Sequence, residues 1–287
     1  MTTVPAVGSF KAFAKAIGAG RLRSLMKRAL RALVIPAAVV AIGMGAWYGA
    51  THFLLSPSRR FLLPPPQQVW SRSFSDPAHL RPMLDALAVT VKVASLGLLI
   101  ATAVGVALGA VMSQARWLEG ALYPYAVLLQ VVPILAIVPL IGLWVGYSTS
   151  ARVLVCVLIS LFPVITNTNF GFRSVDRGLH ELFDLGRASW LQRLVRLELP
   201  AALPSILTGL RIASGQAVIG AIIGDMFFAR GDPGIGTLIN NYVAQLRSED
   251  LIAAVLLAAG FGVAVFAFFA VLSSVLVGRW HNSGARR

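Results

Sequence analysis

Apolar residues gather along this chain in six long segments, near positions 30–54, 84–112, 121–143, 152–170, 206–228 and 251–278. Each is long enough to cross a hydrocarbon core of ~30 Å, which takes about 20 helical residues. None shows the strict alternation of a lipid-facing strand, so the pattern predicts helices and not a barrel. Polar residues collect in two gaps, 55–83 and 171–205. The first holds Pro64, Pro65 and Pro66, which predict extended chain there. The second carries its own helical pattern. Ser174 can cap a helix over 175–185 that Gly186 ends. Ser189-Trp190-Leu191-Gln192 has capping-box spacing for a second helix over 190–198, with Pro200 to stop it. Its apolar positions are Leu191, Leu194, Val195 and Leu197, and its charged ones include Arg193, Arg196 and Glu198. Such a helix at a membrane surface either anchors in lipid or offers a docking knob to a partner.

Composition sharpens this reading. The chain has 287 residues, of which 57% are hydrophobic and 13% charged. Soluble domains carry about 25% charged residues, so this is an all-α integral membrane protein with about six transmembrane helices. A net charge of +14 is explained by orientation and not by nucleic acid. With the N-terminus and the 171–205 loop in the cytoplasm, 17 of the 25 Lys and Arg residues fall on that side, which predicts an N-in, C-in topology. The organisation that follows is a basic cytoplasmic segment 1–29, a membrane domain 30–278 that includes the 171–205 loop, and a cytoplasmic tail 279–287. The N-terminus is basic and then apolar, like a signal peptide, but the run Ala32–Leu55 can span, which predicts an uncleaved first helix.

Little chemistry is available. Cys156 is the one cysteine, so no disulfide forms within the chain, and His52, His79, His180 and His281 make no i, i+4 pair for a metal. None of the four lysines follows a glycine, which excludes a P-loop. Uphill work would draw on an ion gradient or on another chain. A gradient-driven transporter usually needs ionisable groups within the membrane. Away from the predicted helix ends only Lys92 qualifies, with Asp85 and Asp225 near the outer boundary. A partner ATPase is the better reading. Lys92 lies ~12 Å into the second predicted helix at 1.5 Å per residue, where a charge costs about 2.5–3.5 kcal/mol. It either snorkels outward, pairs with a carboxylate such as Asp225, or lines a substrate path. Gly97, Ala101, Gly105 and Gly109 recur every four residues and predict close helix packing, a pattern repeated by Gly45 and Gly49.

The run LGRASWLQRLVRLELPAALPSILTGLRIA resembles the cytoplasmic EAA loop of binding-protein-dependent ABC importer permeases. Counting back from Pro200, Leu199 and Leu197 take that motif's Leu and Ile places, and Glu181 takes its Glu. Leu182 and Phe183 replace the two alanines, and Arg187 stands in the glycine place with Gly186 one residue early. Further stretches are similar to the nitrate/sulfonate/taurine-type branch: Gln130-Val-Val-Pro133 with Pro139 and Trp144-Val-Gly146, Thr90-Val-Lys92, Gly209-Leu-Arg211, Gly224-Asp225-Met226, Gly234-Ile-Gly236, and Phe61-Leu-Leu-Pro64 with Val69-Trp70.

The resemblance implies the type I ABC importer transmembrane fold in the bacterial cytoplasmic (inner) membrane. It implies a second, identical permease copy, two copies of a cytosolic ABC ATPase, and an external or periplasmic solute-binding protein. It implies no cofactor and no catalysis in this chain, with ATP and Mg2+ held by the ATPase. Docking of the ATPase would fall to Glu181, Asp184, Gly186, Arg187, Ala188, Ser189, Trp190, Arg193, Leu194, Arg196 and Pro200. Lys92, Gln130, Pro133, Asn167, Gln216 and Asp225 would belong to the substrate path or its gates. The solute expected is a small anion such as a sulfonate, nitrate or aromatic acid, or a vitamin precursor.

Overall fold

The computed structural model describes Val34, residues 37–228 and residues 230–277, and all regular secondary structure among them is helical. The expected basic segment 1–29, most of the start of the first span and the tail 279–287 lie outside the described residues. The chain divides into two compact units, Met1–Gln68 and Val69–Arg287.

The first unit holds α1 (Ala37–Leu54), whose last turn, Ala50–Leu54, is widened into a π-helix. A Cβ added to Gly45 or Gly49 would meet nothing within 4 Å, so these glycines make no close helix contact among the described residues. Pro64 and Pro65 lie outside any helix, as expected, but Pro66 does not. A 3-10 helix covers Pro57–Leu62, and α2 (Pro66–Val69) starts on the third of the clustered prolines. At a first helical position the missing N–H and the fixed φ cost nothing, so Pro66 initiates where a later proline would break. The Trp47 indole donates to the Pro64 carbonyl at 3.1 Å and folds this stretch back onto α1.

The second unit opens with a π-helical turn, Trp70–Phe74, and then α3 (Pro77–Gln114). The latter starts before the predicted 84, because the Asp76 side chain accepts from the Ala78 amide at 2.9 Å and Pro77 takes the first position. The predicted third span, 121–143, is instead two helices, α4 (Arg116–Val131) and α5 (Ile134–Val145), bent by 98°. Val132, ahead of Pro133, adopts ψ 126°, the extended conformation that a following proline favours. Next come α6 (Thr149–Arg173), α7 (Arg177–Leu185), α8 (Trp190–Phe227), α9 (Ile235–Ala244) and α10 (Ser248–Val277). Five described helices are long and apolar enough to cross a membrane, or six with the bent pair taken as one.

Glycines set the core. Gly97, Gly105 and Gly109 on α3 are all buried. A Cβ on Gly105 would come within 2.7 Å of the Val164 Cβ, and one on Gly109 within 2.6 Å of the Thr168 Cβ. On the other side of α6, a Cβ on Gly209 would lie 2.8 Å from the Pro163 carbonyl, and one on Gly220 2.8 Å from the Cys156 Cα. The long helix α6 is thereby held between α3 and α8 at backbone contact, the approach small residues permit in membranes.

Candidate functional site

Two polar constructions occupy opposite ends of this helical core. The first is the α7–α8 corner. Ser174 does not cap α7 but ends α6, and the N-cap is Asp176, whose carboxylate accepts from the Gly178 amide at 2.7 Å. The carboxylate outcompetes the hydroxyl because a charged acceptor makes the stronger bond to an N-terminal amide. At the other end Gly186 is the C-cap as expected, but Arg187 takes the left-handed conformation, with φ 47°. The amides of Gly186, Arg187 and Ala188 close on the carbonyls of Leu182, Asp184 and Phe183 at 3.1, 3.0 and 3.0 Å. The residue in the motif's glycine place thus has the backbone that a glycine would favour.

The capping box of α8 is complete, with the Ser189 hydroxyl accepting from the Gln192 amide and the Gln192 side chain accepting from the Ser189 amide. Pro200 does not stop this helix. A π-helical turn, Leu194–Glu198, precedes the proline, and the helix runs on to Phe227. The wider turn accommodates a residue that has no amide to donate. Arg193 holds the corner together, 3.3 Å from Asp184 Oδ1 and 3.3 Å from Glu198 Oε1. Trp190 donates to Gln114 Oε1 at 3.1 Å, which ties the corner to the end of α3.

Of the residues expected to dock a partner, Glu181, Asp184, Gly186, Arg187, Ser189, Trp190, Arg196 and Pro200 are exposed, and Ala188 and Arg193 are half-buried. Leu194 is also half-buried and packs inward against the Phe172, Ala202 and Ile206 cluster. The outward apolar side chains are Leu182, Leu185, Leu191 and Val195, with Leu185 83% exposed.

The second construction was not legible from the sequence. Arg152 and Asp225 are both fully buried, 0% exposed, with Nη1 3.3 Å from Oδ1. The same guanidinium donates to three carbonyls: Phe228 at 2.9 Å, Arg230 at 3.0 Å and Asp232 at 2.9 Å. Asp225 accepts from the Thr90 hydroxyl at 2.5 Å, and that hydroxyl accepts from the Ile235 amide at 2.8 Å. The Thr237 hydroxyl donates to the Asp225 carbonyl at 2.7 Å. One buried charge pair therefore joins α3, α6 and α8 to the loop leading into α9. Nearer the start of α3, Asp250 accepts from Ser73 at 2.8 Å and from Arg247 Nε at 2.8 Å, and lies 2.8 Å from His79 Nδ1.

The residues expected along a substrate path are not brought together. Lys92 is exposed in mid-α3, and the pairing with Asp225 does not form, because Arg152 holds that carboxylate. Gln130 and Pro133 are exposed at the bend between α4 and α5. Asn167 turns inward and donates to the Pro163 carbonyl at 2.8 Å. Gln216 is half-buried on α8, with its Oε1 lacking a hydrogen-bond partner among the described residues. Asp225 is locked in the charge pair. Arg211 stands midway along α8 with its guanidinium 4.1 Å from the Phe266 ring centroid.

Comparison with known proteins adds a family to this helical architecture. The family of binding-protein-dependent transport system inner membrane components matches residues 97–283. The chain belongs to this family. The formylaminopyrimidine transport permease ThiX of Halalkalibacterium halodurans is 33% identical over 252 residues, covering 88% of this chain and 98% of its own. The taurine transport system permease TauC of Escherichia coli is 33% identical over 79% of each chain. Among solved structures, the methionine ABC transporter MetNI in inward-facing conformations aligns with a TM-score of 0.52 over 78% of this chain and 100% of its own, at 17% identity, which shows the shared fold. The protein is thus a multi-pass inner-membrane permease of the binding-protein-dependent ABC importers. Such permeases work with an ATPase and a binding protein and are not themselves catalytic.

Proposed function

We propose that this permease pairs with a second copy of itself and docks two cytosolic ATPases through its α7–α8 corner, passing a small anionic solute or vitamin precursor inward by alternating access. The carrying observation is the corner itself. It is rigidly built, with a complete capping box and a bridging Arg193, yet it leaves Leu182, Leu185, Leu191 and Val195 outward. Exposed apolar side chains on a fixed scaffold are what a groove in a partner protein recognises. The resemblance of the 171–205 loop to the cytoplasmic EAA loop supports placing this corner in the cytoplasm, which would put the Arg152–Asp225 pair at the outer face. ATP binding would close the ATPase pair, move the two corners together and open the path outward; hydrolysis would reset it. The substrate class rests on relatives named for formylaminopyrimidine and taurine, and on Lys92 as a cation within a span.

The test is the double substitution Leu185→Asp and Leu191→Asp. The variant is expected to insert normally but to lose co-purification of the ATPase and binding-protein-dependent uptake. Wild-type ATPase recovery and uptake in that variant would remove the docking assignment. Leu194 is unsuitable for this purpose, since it packs into the bundle.

A further inference from the structure

We propose that Arg152 is the positioning residue that makes the outer loop between α8 and α9 competent to receive the external binding protein. This inference rests on the importer reading and on the orientation that places Arg152 at the outer face.

A guanidinium carries five donors in a planar fork. Arg152 spends them on one carboxylate and on three carbonyls of a single short segment, those of Phe228, Arg230 and Asp232. The segment has no helical ladder of its own to satisfy those carbonyls. Gly231, with φ 92°, lets the chain turn so that they converge. With its carbonyls drawn inward, the loop presents Arg230, Asp232 and Pro233 outward, and all three are exposed. The loop's far end is fixed too. Gly234 is packed so tightly on the Asp225 carboxylate that no Cβ fits, and the Ile235 amide donates to Thr90. Asp225 supplies the counter-charge that lets Arg152 stay buried.

Simple stabilisation of the bundle would not require this arrangement. A buried ion pair is commonly no better for stability than apolar packing of the same volume. The glycine contacts already hold α6 to α3 and α8. What the pair adds is a defined shape for an exposed loop that continues the re-entering helix α8. A partner engaging that loop therefore acts on α8 directly, and α8 begins at the ATPase-facing corner.

The experiment uses the permease with its ATPase and co-purified binding protein, reconstituted in lipid nanodiscs. Arg152→Gln keeps hydrogen-bonding atoms but loses the charge and the fork. Basal ATP hydrolysis should stay within about twofold, while stimulation by the binding protein falls about tenfold, the scale of losing charged hydrogen bonds. Asp232→Cys adds a local readout. Cys156, the one native thiol, is buried, so a membrane-impermeant maleimide reports on position 232 alone. Labelling should quicken when Arg152→Gln is added.

Arg152→Lys covers a failure of the glutamine variant to insert. It retains the counter-charge for Asp225 but cannot reach three carbonyls, so it should insert and still lose stimulation. Normal stimulation in either variant overturns the proposal. Basal and stimulated hydrolysis falling in parallel also overturns it, as does failure of both variants to insert, since either result gives Arg152 to assembly alone. If the wild-type complex shows no stimulation at all, the importer reading fails instead, a result separable from any property of Arg152.

Discussion

Arg187 and Lys92 illustrate how single residues depart from the local optimum. A non-glycine residue in the left-handed region costs about 1–2 kcal/mol, and Arg187 sits there with φ 47°, in the glycine place of the motif that the loop resembles. Arg187→Gly is expected to stabilise the protein by about 1 kcal/mol, read as a higher thermal midpoint of the purified permease. A lowered midpoint would mean that the arginine side chain contributes more than its backbone costs. Lys92 is exposed on α3, and its expected partner is taken by Arg152. Lys92→Gln should reduce uptake of an anionic solute by about 5–30-fold, the worth of one to two kcal/mol, with membrane yield unchanged. Equal loss of uptake and yield would assign the lysine to folding.

The helices owe their positions to glycines more than to large side chains. Gly220→Ala places a Cβ 2.8 Å from the Cys156 Cα, a backbone contact that no rotamer change relieves. It should destabilise the bundle by about 1–3 kcal/mol, as overpacking does, measured as a lowered thermal midpoint. Gly215→Ala is the matched control, since a Cβ there meets nothing within 4 Å. Most of this level was legible in the sequence. The six apolar runs, the Gly97–Gly109 face and the capping box at Ser189 are periodic or adjacent in the chain, and local patterns report local structure. The bend at Pro133 was not. Pro82, Pro124, Pro139, Pro163 and Pro204 all lie inside continuous helices, so proline alone does not say which position breaks. The Arg152–Asp225 pair was hidden for a related reason. Its partners lie 73 residues apart, and each sits at the rim of an apolar run, where a charge reads as the ordinary flank of a span.

Across the whole molecule, α8 spans the distance between the two polar constructions. It starts in the corner assigned to the ATPase and ends at the loop that Arg152 holds. Its one irregularity in the first half is the π-helical turn Leu194–Glu198. A turn of that kind contains one residue more than an α-helical ladder would. Each residue of an α-helix advances the chain by about 1.5 Å and 100°. Deleting Val195 would thus let the ladder close regularly and leave the membrane half of α8 in place. The corner would keep nearly its present height and heading, because the surplus residue is what the wide turn absorbs, whereas the same deletion in a regular turn would draw it in by about 1.5 Å and swing it by about 100°. A codon lost at the wide turn leaves the plug facing its socket, and a codon lost from a regular turn of the same helix rotates it away.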